Sequence, residues 1–211
     1  MLKVGQTTGV RFETVFVSKS PPDEDRVNEL IYWSRRFDEL GLAPKSAGNL
    51  SFRTKNGFII TATGVALKAA ERENLVEVLK VETGKEQIVV NVRGKEVPSK
   101  ESILHSGIYG LRPEINAVFH IHDLLVVELA DELKILCTEG EQPRGSYELV
   151  TEVNRLLRLT PDANYIVLRN HGVISMGETL EEAGKLAEDM NKAAQNVAQK
   201  KGVENEGDAG I

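Results

Sequence analysis

Hydrophobic and polar residues recur along most of the chain with one of two periods, two for strands and about 3.6 for helices. Short runs rich in β-branched and aromatic residues predict strands in the segments 10–17, 45–53, 57–64, 75–92, 115–122, 135–138, 165–168 and 173–177. Longer stretches with apolar residues three and four apart predict helices over 20–40, 98–112, 123–133, from 146 onward and from 179 to about 200. The chain is therefore expected to interleave strands and helices.

No internal repeat and no linker divides this pattern, so one domain over residues 1–211 is predicted. Residues 1–19 carry an isolated strand pattern and are interpreted as an N-terminal strand extension of the main fold. The segment 202–211 combines acidic residues with glycines, a composition typical of a disordered acidic tail.

Capping residues indicate where several of the helices begin. Ser20, followed by two prolines, is predicted to start the first helix. Ser146 and Thr179 are predicted N-caps because their side-chain oxygens can accept the free N–H groups of a first turn. Ser99 is a further predicted cap, and it would place Glu101 in a first turn, where the helix dipole favours a carboxylate.

Composition and charge narrow the functional classes. The 211 residues are 41% hydrophobic and 27% charged, with a formal net charge of −6. This balance argues against a general partner of nucleic acids or membrane surfaces, which are themselves anionic. No apolar run reaches the roughly 18 residues expected of a membrane span. The single cysteine, Cys137, cannot form an internal disulfide and fits a reducing compartment, so a cytoplasmic location is expected.

Candidate chemistry is concentrated at His120-Ile121-His122, where one predicted strand ends. Side chains two residues apart on a strand share a face, so the two imidazoles would stand side by side while Ile121 turns into the core. A rigid pair of imidazoles supplies two of the three protein ligands usual in a catalytic zinc site. The pair also fits two exposed histidines on a polar face, and the spacing alone leaves both interpretations open.

Two small-residue turns are further candidates for ligand binding. Gly48-Asn49 precedes one predicted strand, and Thr63-Gly64 follows the next. Small residues let backbone N–H groups approach a ligand closely, although both segments also fit as ordinary turns. Glu101 has a structural alternative as a dipole-stabilising residue. His105, one helical turn later, is interpreted as a packed or supporting residue rather than a metal ligand.

Five motifs occur in an order that resembles the class II aldolase/adducin family, over roughly residues 23–200. The matching segments are Ala47-Gly48-Asn49-Leu50-Ser51, Thr61-Ala62-Thr63-Gly64, Pro98-Ser99-Lys100-Glu101 with His105, His120-Ile121-His122, and Asn170-His171-Gly172. Each motif alone is weak, but five in register make a specific resemblance. It favours the metal interpretation of the histidine pair.

The resemblance implies an α/β fold, a three-layer α/β/α sandwich around a mainly antiparallel sheet. It also implies a homo-oligomer, usually a tetramer, with sites at subunit contacts. One Zn²⁺ per chain would be bound by His120, His122 and His171, with Glu101 as the catalytic acid/base. Neutral imidazoles with one open position suit zinc, and another divalent metal could use the same ligands.

A small phosphorylated sugar is the substrate that the resemblance implies. The positions that match phosphate-binding groups of the family are Gly48, Asn49, Thr63, Gly64 and Ser99. Cleavage of a carbon–carbon bond in a ketose phosphate leaves an enediolate, whose charge a divalent metal stabilises while a carboxylate moves the hydroxyl proton. The phosphate contacts would hold the reacting carbons in place.

The chain departs from the family pattern in two respects that bear on function. Lys100 replaces the second serine of a Ser-Ser-Glu motif and adds a cation where phosphate would bind. A tyrosine that a neighbouring subunit supplies in fuculose-phosphate aldolases has no counterpart in residues 123–142, and no aromatic residue follows Tyr165. Tyr147 is the nearest substitute as a proton donor.

These features predict a zinc-dependent aldolase of the fuculose-1-phosphate type. A dehydratase of the methylthioribulose-1-phosphate type would use the same metal with a different proton-transfer step. A non-catalytic, adducin-like oligomeric interaction domain would be marked by the loss of metal ligands, whereas all three histidines and Glu101 are present. Specificity for the sugar is expected to depend on the loop 139–145, on Tyr147 and on the C-terminal tail.

Overall fold

The structure, a computed structural model, describes residues 11–84 and 87–202 of the chain. It contains the strands β1 (Arg11–Ser18), β2 (Asn49–Thr54), β3 (Gly57–Thr61), β4 (Leu75–Thr83), β5 (Gln87–Arg93), β6 (Ala117–Ile121), β7 (Tyr165–Leu168) and β8 (Gly172–Gly177). They form one sheet in the order β1–β5–β4–β3–β2–β6–β8–β7. Within the described residues β1 and β5 pair in parallel and all other neighbours are antiparallel, so the expected mainly antiparallel sheet is confirmed.

Helices cover both faces of this sheet. They are α1 (Val27–Glu39), α2 (Ser102–Leu111), α3 (Leu124–Glu128), α4 (Tyr147–Leu159) and α5 (Leu180–Lys201), with short 3-10 turns at Leu67–Ala69 and Arg72–Asn74. Adjacent residues of β6 belong to opposite layers: Phe119 packs among side chains of α1 and α5, and Val118 among those of α2 and α4. This division confirms the predicted α/β/α sandwich.

The first helix begins later than the sequence predicts. Residues 20–26 are not helical, and Arg26 rather than Ser20 occupies the N-cap position of α1. Two consecutive prolines explain the difference, because a residue that precedes proline is disfavoured in the helical conformation. The carbonyl of Pro22 accepts a hydrogen bond from Arg72 at 3.0 Å, which fixes this segment against the rest of the chain.

Two elements after β6 are shorter than predicted. The helix predicted over 123–133 ends at Glu128, and the strand predicted over 135–138 is reduced to one isolated bridge between Cys137 and Val167. Lys134 between them has a φ of +55°. A left-handed residue at the end of the turn 129–134 interrupts the chain directly before the predicted strand.

The caps of the last two helices are confirmed. The Ser146 hydroxyl accepts the N–H of Leu149 at 3.2 Å, and the Thr179 hydroxyl accepts that of Glu182 at 3.1 Å. The predicted N-terminal extension forms β1, while its first ten residues and the tail beyond 202 lie outside the described residues. In the part of the chain that is described, no helix has both the length and the apolar character required to cross a membrane.

Candidate metal centre and active site

Three histidines converge where β6 ends and β8 begins. His120 lies near the end of β6, His122 directly follows the strand, and His171 lies in the turn between β7 and β8. The Nε2 atoms of His120 and His122 are 3.2 Å apart. One ring nitrogen from each of the three lies within 4.8 Å of the others. The rings thus face a common point, as the ligands of a single metal ion do.

The turn that presents His171 depends on its two neighbours. Asn170 has a left-handed φ of +59°, which asparagine tolerates better than most residues. At Gly172 a Cβ atom would lie 2.5 Å from the carbonyl oxygen of Ile121 and 3.0 Å from the ring of His120. The absence of a side chain therefore lets β8 pass close to the histidine rings.

A hydrogen bond from β8 sets the protonation of His120. Its Nδ1 lies 3.0 Å from the carbonyl oxygen of Val173, which can only accept, so Nδ1 carries the proton. The lone pair of Nε2 is then free to bind a metal. Burial lowers the pKa of His120 to about 4, so the ring is neutral at pH 7.

The other two rings are neutral for the same reason. Burial, together with a smaller contribution from the neighbouring His120, lowers the pKa of His122 to about 4 and that of His171 to about 3. Contacts of the rings with a carboxylate are therefore not ion pairs. Neutral imidazoles meet the requirement that metal ligands be deprotonated.

Glu101 places its carboxylate on this cluster. Its Oε2 lies 3.3 Å from Nε2 of His120 and 2.6 Å from Nδ2 of Asn49, and its Oε1 lies 3.6 Å from Nε2 of His171. Glu101 as a whole is only 7% exposed. The Asn49 amide group therefore donates to Oε2, which also faces His120, whereas Oε1 faces His171 without a hydrogen bond in the described residues.

The start of α2 differs from the prediction in a way that explains this geometry. The helix begins at Ser102, and Glu101 itself occupies the N-cap position without a side-chain hydrogen bond to the helix backbone. Ser99 is not the helix cap: its hydroxyl accepts the backbone N–H of Glu101 at 3.3 Å. The Glu101 side chain is thus directed away from its own helix end and towards the histidines.

The donor set fits a divalent metal. Among the buried polar atoms without a hydrogen-bond partner in the described residues are Oε1 of Glu101 and Nε2 of His171, which lie 3.6 Å apart. Leaving a buried polar atom unpaired costs about 1–3 kcal/mol, so the convergence of such atoms at one point indicates a bound group. Three neutral imidazoles with a nearby carboxylate match the ligands that zinc prefers.

The residues predicted to bind phosphate lie at the start of β2, after β3 and before α2. Gly48 has a φ of +86°, and a Cβ there would lie 2.8 Å from the carbonyl oxygen of His120. Thr63 and Gly64 follow β3, where the Thr63 N–H donates to the Val97 carbonyl at 2.9 Å. Ser99 is joined to the same strand through its N–H and the Thr61 carbonyl, 3.3 Å apart. Asn49, also predicted as a phosphate ligand, donates one N–H of its side-chain amide to Glu101 at 2.6 Å.

Lys100 and Tyr147 differ in their relation to the site. Lys100 directly precedes Glu101 and is exposed, without an ion pair in the described part of the chain. Tyr147 begins α4, and its hydroxyl donates to the carbonyl of Gly84 at 3.1 Å, in the β4–β5 turn. Within residues 11–84 and 87–202 no hydrogen bond joins Tyr147 to Glu101 or a histidine. The structure therefore argues against Tyr147 as the proton donor of its own chain.

Arg144 is a candidate residue that the sequence motifs do not reveal. Residues 141–144 and His171 line a cleft of about 410 Å³, so the loop 139–145 borders the site as predicted. The positive charge of Arg144 contributes to lowering the pKa of all three histidines. In the sequence only the loop position beside Gly145 points to a role for Arg144 in the site, because no motif includes this residue.

Comparison with known proteins identifies the family. Residues 28–197 match the family described as Class II Aldolase and Adducin N-terminal domain. The chain belongs to this family. The resemblance that its motifs carry is therefore confirmed.

Individual relatives agree with this assignment. The L-fuculose phosphate aldolase of Haemophilus influenzae is 30% identical over 175 residues, 74% of each chain. The 5-methylthioribulose-1-phosphate/5-deoxyribulose-1-phosphate aldolase of Rhodospirillum rubrum is 31% identical over 179 residues, 79% of this chain and 77% of the relative. The crystal structure of L-fuculose-1-phosphate aldolase from Thermus thermophilus has a TM-score of 0.68 at 25% identity, over 88% of this chain and 100% of that one. These matches indicate an enzyme of the aldolase and lyase class.

Proposed function

We propose that the protein is a zinc-dependent aldolase that cleaves a small phosphorylated ketose. The observation that carries this proposal is the contact of the Glu101 carboxylate with the histidine cluster, 3.3 Å from His120 and 3.6 Å from His171. A base held there can reach a substrate oxygen bound at the same point. The names of the relatives, aldolases of fuculose phosphate and methylthioribulose-1-phosphate, support the substrate class.

His120, His122 and His171 would hold the zinc ion. When bound, the ion supplies a fixed positive charge that stabilises negative charge as it develops on substrate oxygens. The hydrogen bond from His120 to Val173 orients that ring for the task. Gly172 has no side chain, so it leaves room for the ring of His120, which a Cβ atom at this position would approach to 3.0 Å.

Glu101 would accept the proton of the ketose hydroxyl through Oε1. Asn49 occupies Oε2 at 2.6 Å, whereas Oε1 is buried without a partner in the described chain. Removal of this proton allows the adjacent carbon–carbon bond to break, and the electron pair of that bond passes to the departing fragment as an enediolate. The carbon of the enediolate would then be protonated by the donor proposed below for a partner copy, while Glu101 returns its proton to solvent. The same oxygen returns the proton in the synthetic direction, by microscopic reversibility.

The phosphate is proposed to bind among Gly48-Asn49, Thr63-Gly64, Ser99 and Lys100. Backbone N–H groups at a helix start favour an anion, and Lys100 adds a point charge. Arg144 borders the cleft beside His171, where its charge would attract the anionic substrate. Lys100, next to Glu101 in the chain, and Arg144, which lines the cleft with His171, would both attract an anionic substrate.

A dehydratase is the second candidate. It would use the same donor set, and it is favoured by one observation: within the described residues Tyr147 does not reach the cluster. A non-catalytic, adducin-like role is disfavoured because the three rings and Glu101 converge on one point. The products distinguish the two reactions, because cleavage releases an aldehyde whereas dehydration removes water and keeps the carbon chain intact.

A homo-oligomer, with four copies as the first expectation, is part of the proposal. A partner copy could supply the proton donor that the protomer does not bring to the cluster. Leu124, 64% exposed, lies two residues after His122 and provides apolar surface beside the site for such a contact.

A cytoplasmic location of the protein also stays a prediction.

A cleavage assay tests the proposed function. The zinc-loaded protein is offered a panel of ketose 1-phosphates and the same ketoses without phosphate, with aldehyde release and dehydration followed in parallel. Cleavage of a phosphorylated ketose alone is the expected result. If the unphosphorylated sugar is turned over as efficiently, the substrate class is wrong.

Lys100→Ala tests the phosphate contact in the same assay. Loss of one hydrogen bond to a charged group should weaken binding by about 1.5–3 kcal/mol, a tenfold to hundredfold rise in KM, with a smaller change in kcat. Lys68→Ala serves as the control, since Lys68 is another exposed lysine. Equal KM values for the two variants would make Lys100 a surface residue.

A further inference from the structure

We propose that Ser51, His105 and Tyr109 form a hydrogen-bonded network between β2 and α2 that positions the Glu101 carboxylate against the histidine cluster. The network lies beneath the site and holds no candidate metal ligand. His105 would act through Glu101, as a positioning residue. The inference rests on the role proposed for Glu101.

The three side chains form a polar group inside an apolar layer. Ser51 and His105 are 0% exposed and Tyr109 is 5% exposed. The Ser51 hydroxyl lies 2.6 Å from Nδ1 of His105 and 2.8 Å from the hydroxyl of Tyr109. Their neighbours include Ile108 and Val118 of the apolar core. Burial of polar groups costs free energy that an apolar trio would avoid, so packing alone does not account for them.

The Ser51 hydroxyl is the centre of the network. It lies 2.6 Å from Nδ1 of His105 and 2.8 Å from the Tyr109 hydroxyl, and at 3.4 Å it also reaches the carbonyl of Val118, which can only accept. Ser51 therefore joins β2 to two side chains of α2 through a single hydroxyl group.

The network extends the contact that holds Glu101. Asn49 and Ser51 are two residues apart on one face of β2, a spacing of about 6.6 Å. Glu101 and His105 are one turn apart along α2, about 6 Å. Because the spacings match, Asn49–Glu101 and Ser51–His105, each 2.6 Å long, form two parallel rungs between strand and helix.

Two contacts fix the orientation of α2 relative to β2 more completely than one contact. A single contact at Glu101 would let the start of α2 rotate about that point, whereas the second contact, at His105, prevents both rotation of the helix and its displacement along its axis. The first turn links the two directly, since the His105 N–H donates to the Glu101 carbonyl at 3.1 Å. A rotation by one residue, about 100°, would turn Glu101 away from His120.

The test compares three substitutions of His105 in the zinc-loaded protein. His105→Leu removes the rung and should lower kcat about tenfold to hundredfold, the scale of a misplaced catalytic group, with KM changed less than about threefold. Zinc content should be unchanged. His105→Asn places an amide oxygen near the position of Nδ1 and should recover most of kcat, whereas His105→Gln reaches the Nε2 position and should not.

Ile108→Ala is the matched control, because it removes a buried apolar side chain from the same helix. It should lower the melting temperature and leave kcat nearly unchanged. Equal kcat for His105→Leu and Ile108→Ala, rescue by glutamine rather than asparagine, or loss of zinc in His105→Leu would each overturn the proposal. If His105→Leu does not fold, Ser51→Ala removes the same rung with a smaller change and carries the same expectation.

A structural readout separates this proposal from the proposed function. In crystals of His105→Leu or Ser51→Ala the distance from Asn49 Nδ2 to Glu101 Oε2 should exceed about 3.5 Å, the limit of a hydrogen bond. An unchanged distance contradicts the network. A wild-type protein that cleaves no sugar phosphate would overturn the proposed function alone, and the distance would still decide on the network.

Discussion

At the scale of the residue, function depends on which atoms already have partners. His120 uses Nδ1 on Val173, and Glu101 uses Oε2 on Asn49. Each side chain is thereby held by one atom and presents another to the cluster. Orientation by a supporting hydrogen bond is the usual way in which proteins place a metal ligand or a base.

Glu101→Gln separates catalysis from helix stabilisation. The substitution keeps the shape of the side chain and removes the base, so kcat should fall by about 10²–10⁴-fold. Stability should barely change, because Glu101 makes no side-chain bond to its helix end. Turnover and thermal unfolding are measured on the same preparation. A variant that unfolds more easily but keeps its rate would support the dipole role instead.

The residues of the site differ in how well the sequence predicts them. The histidines and Glu101 stand in motifs, so their convergence could be expected from the family resemblance. The role of Asn49 could not, because its contact with Glu101 joins residues 52 apart. Tyr147 is a plausible proton donor by residue type and position in the chain, but its hydroxyl donates to the carbonyl of Gly84 between β4 and β5 and not to the cluster. Arg144 acts through its charge from a loop, which leaves no periodic pattern.

At the scale of the element, strand pairing brings the site together. Asn49 on β2 lies opposite His120 on β6, which in turn lies opposite Ile174 on β8. Alternation along β6 could be predicted because it depends on local spacing. The neighbours of β6 could not, since pairing joins distant segments. Local preference also failed at Ser20, where the prolines prevent the helix that a capping serine would otherwise begin.

Gly172→Ala tests the close approach of β8 to β6. The added Cβ would lie 2.5 Å from the Ile121 carbonyl, so backbone must shift, at a cost of about 1–3 kcal/mol. Zinc affinity should fall as well, because the same Cβ approaches the His120 ring. Urea denaturation and zinc titration measure the two effects.

Gly110→Ala is the control for this substitution, since a Cβ there meets nothing within 4 Å. Within a helix the change should be neutral or stabilising by up to about 1 kcal/mol. Similar losses in both variants would mean that the Gly172 contact does not constrain the site.

At the scale of the whole molecule, one mixed sheet carries two helical layers and the site lies at the strand ends. The sandwich followed from the resemblance rather than from periodicity, and the comparisons confirm it. The parallel pairing of β1 with β5 was not predicted, because the strand pattern of residues 10–17 does not identify a partner.

Light scattering tests the expected homo-oligomer. The active protein should elute as a multiple of the 23.3 kDa chain, with four copies as the first expectation. Leu124→Glu should weaken assembly and activity together, because it would place a charge on the apolar surface beside the site. A fully active monomer would remove the need for a proton donor from a partner.

Metal content tests the central claim most directly. Purified wild-type protein should carry one divalent ion per chain, zinc by elemental analysis, bound by His120, His122 and His171. His122→Ala should lose the ion, because two imidazoles retain zinc poorly at a site that needs three protein ligands. His105→Asn, which changes a histidine outside the cluster, should keep it. Equal metal content in wild type and His122→Ala would contradict the assignment of the site.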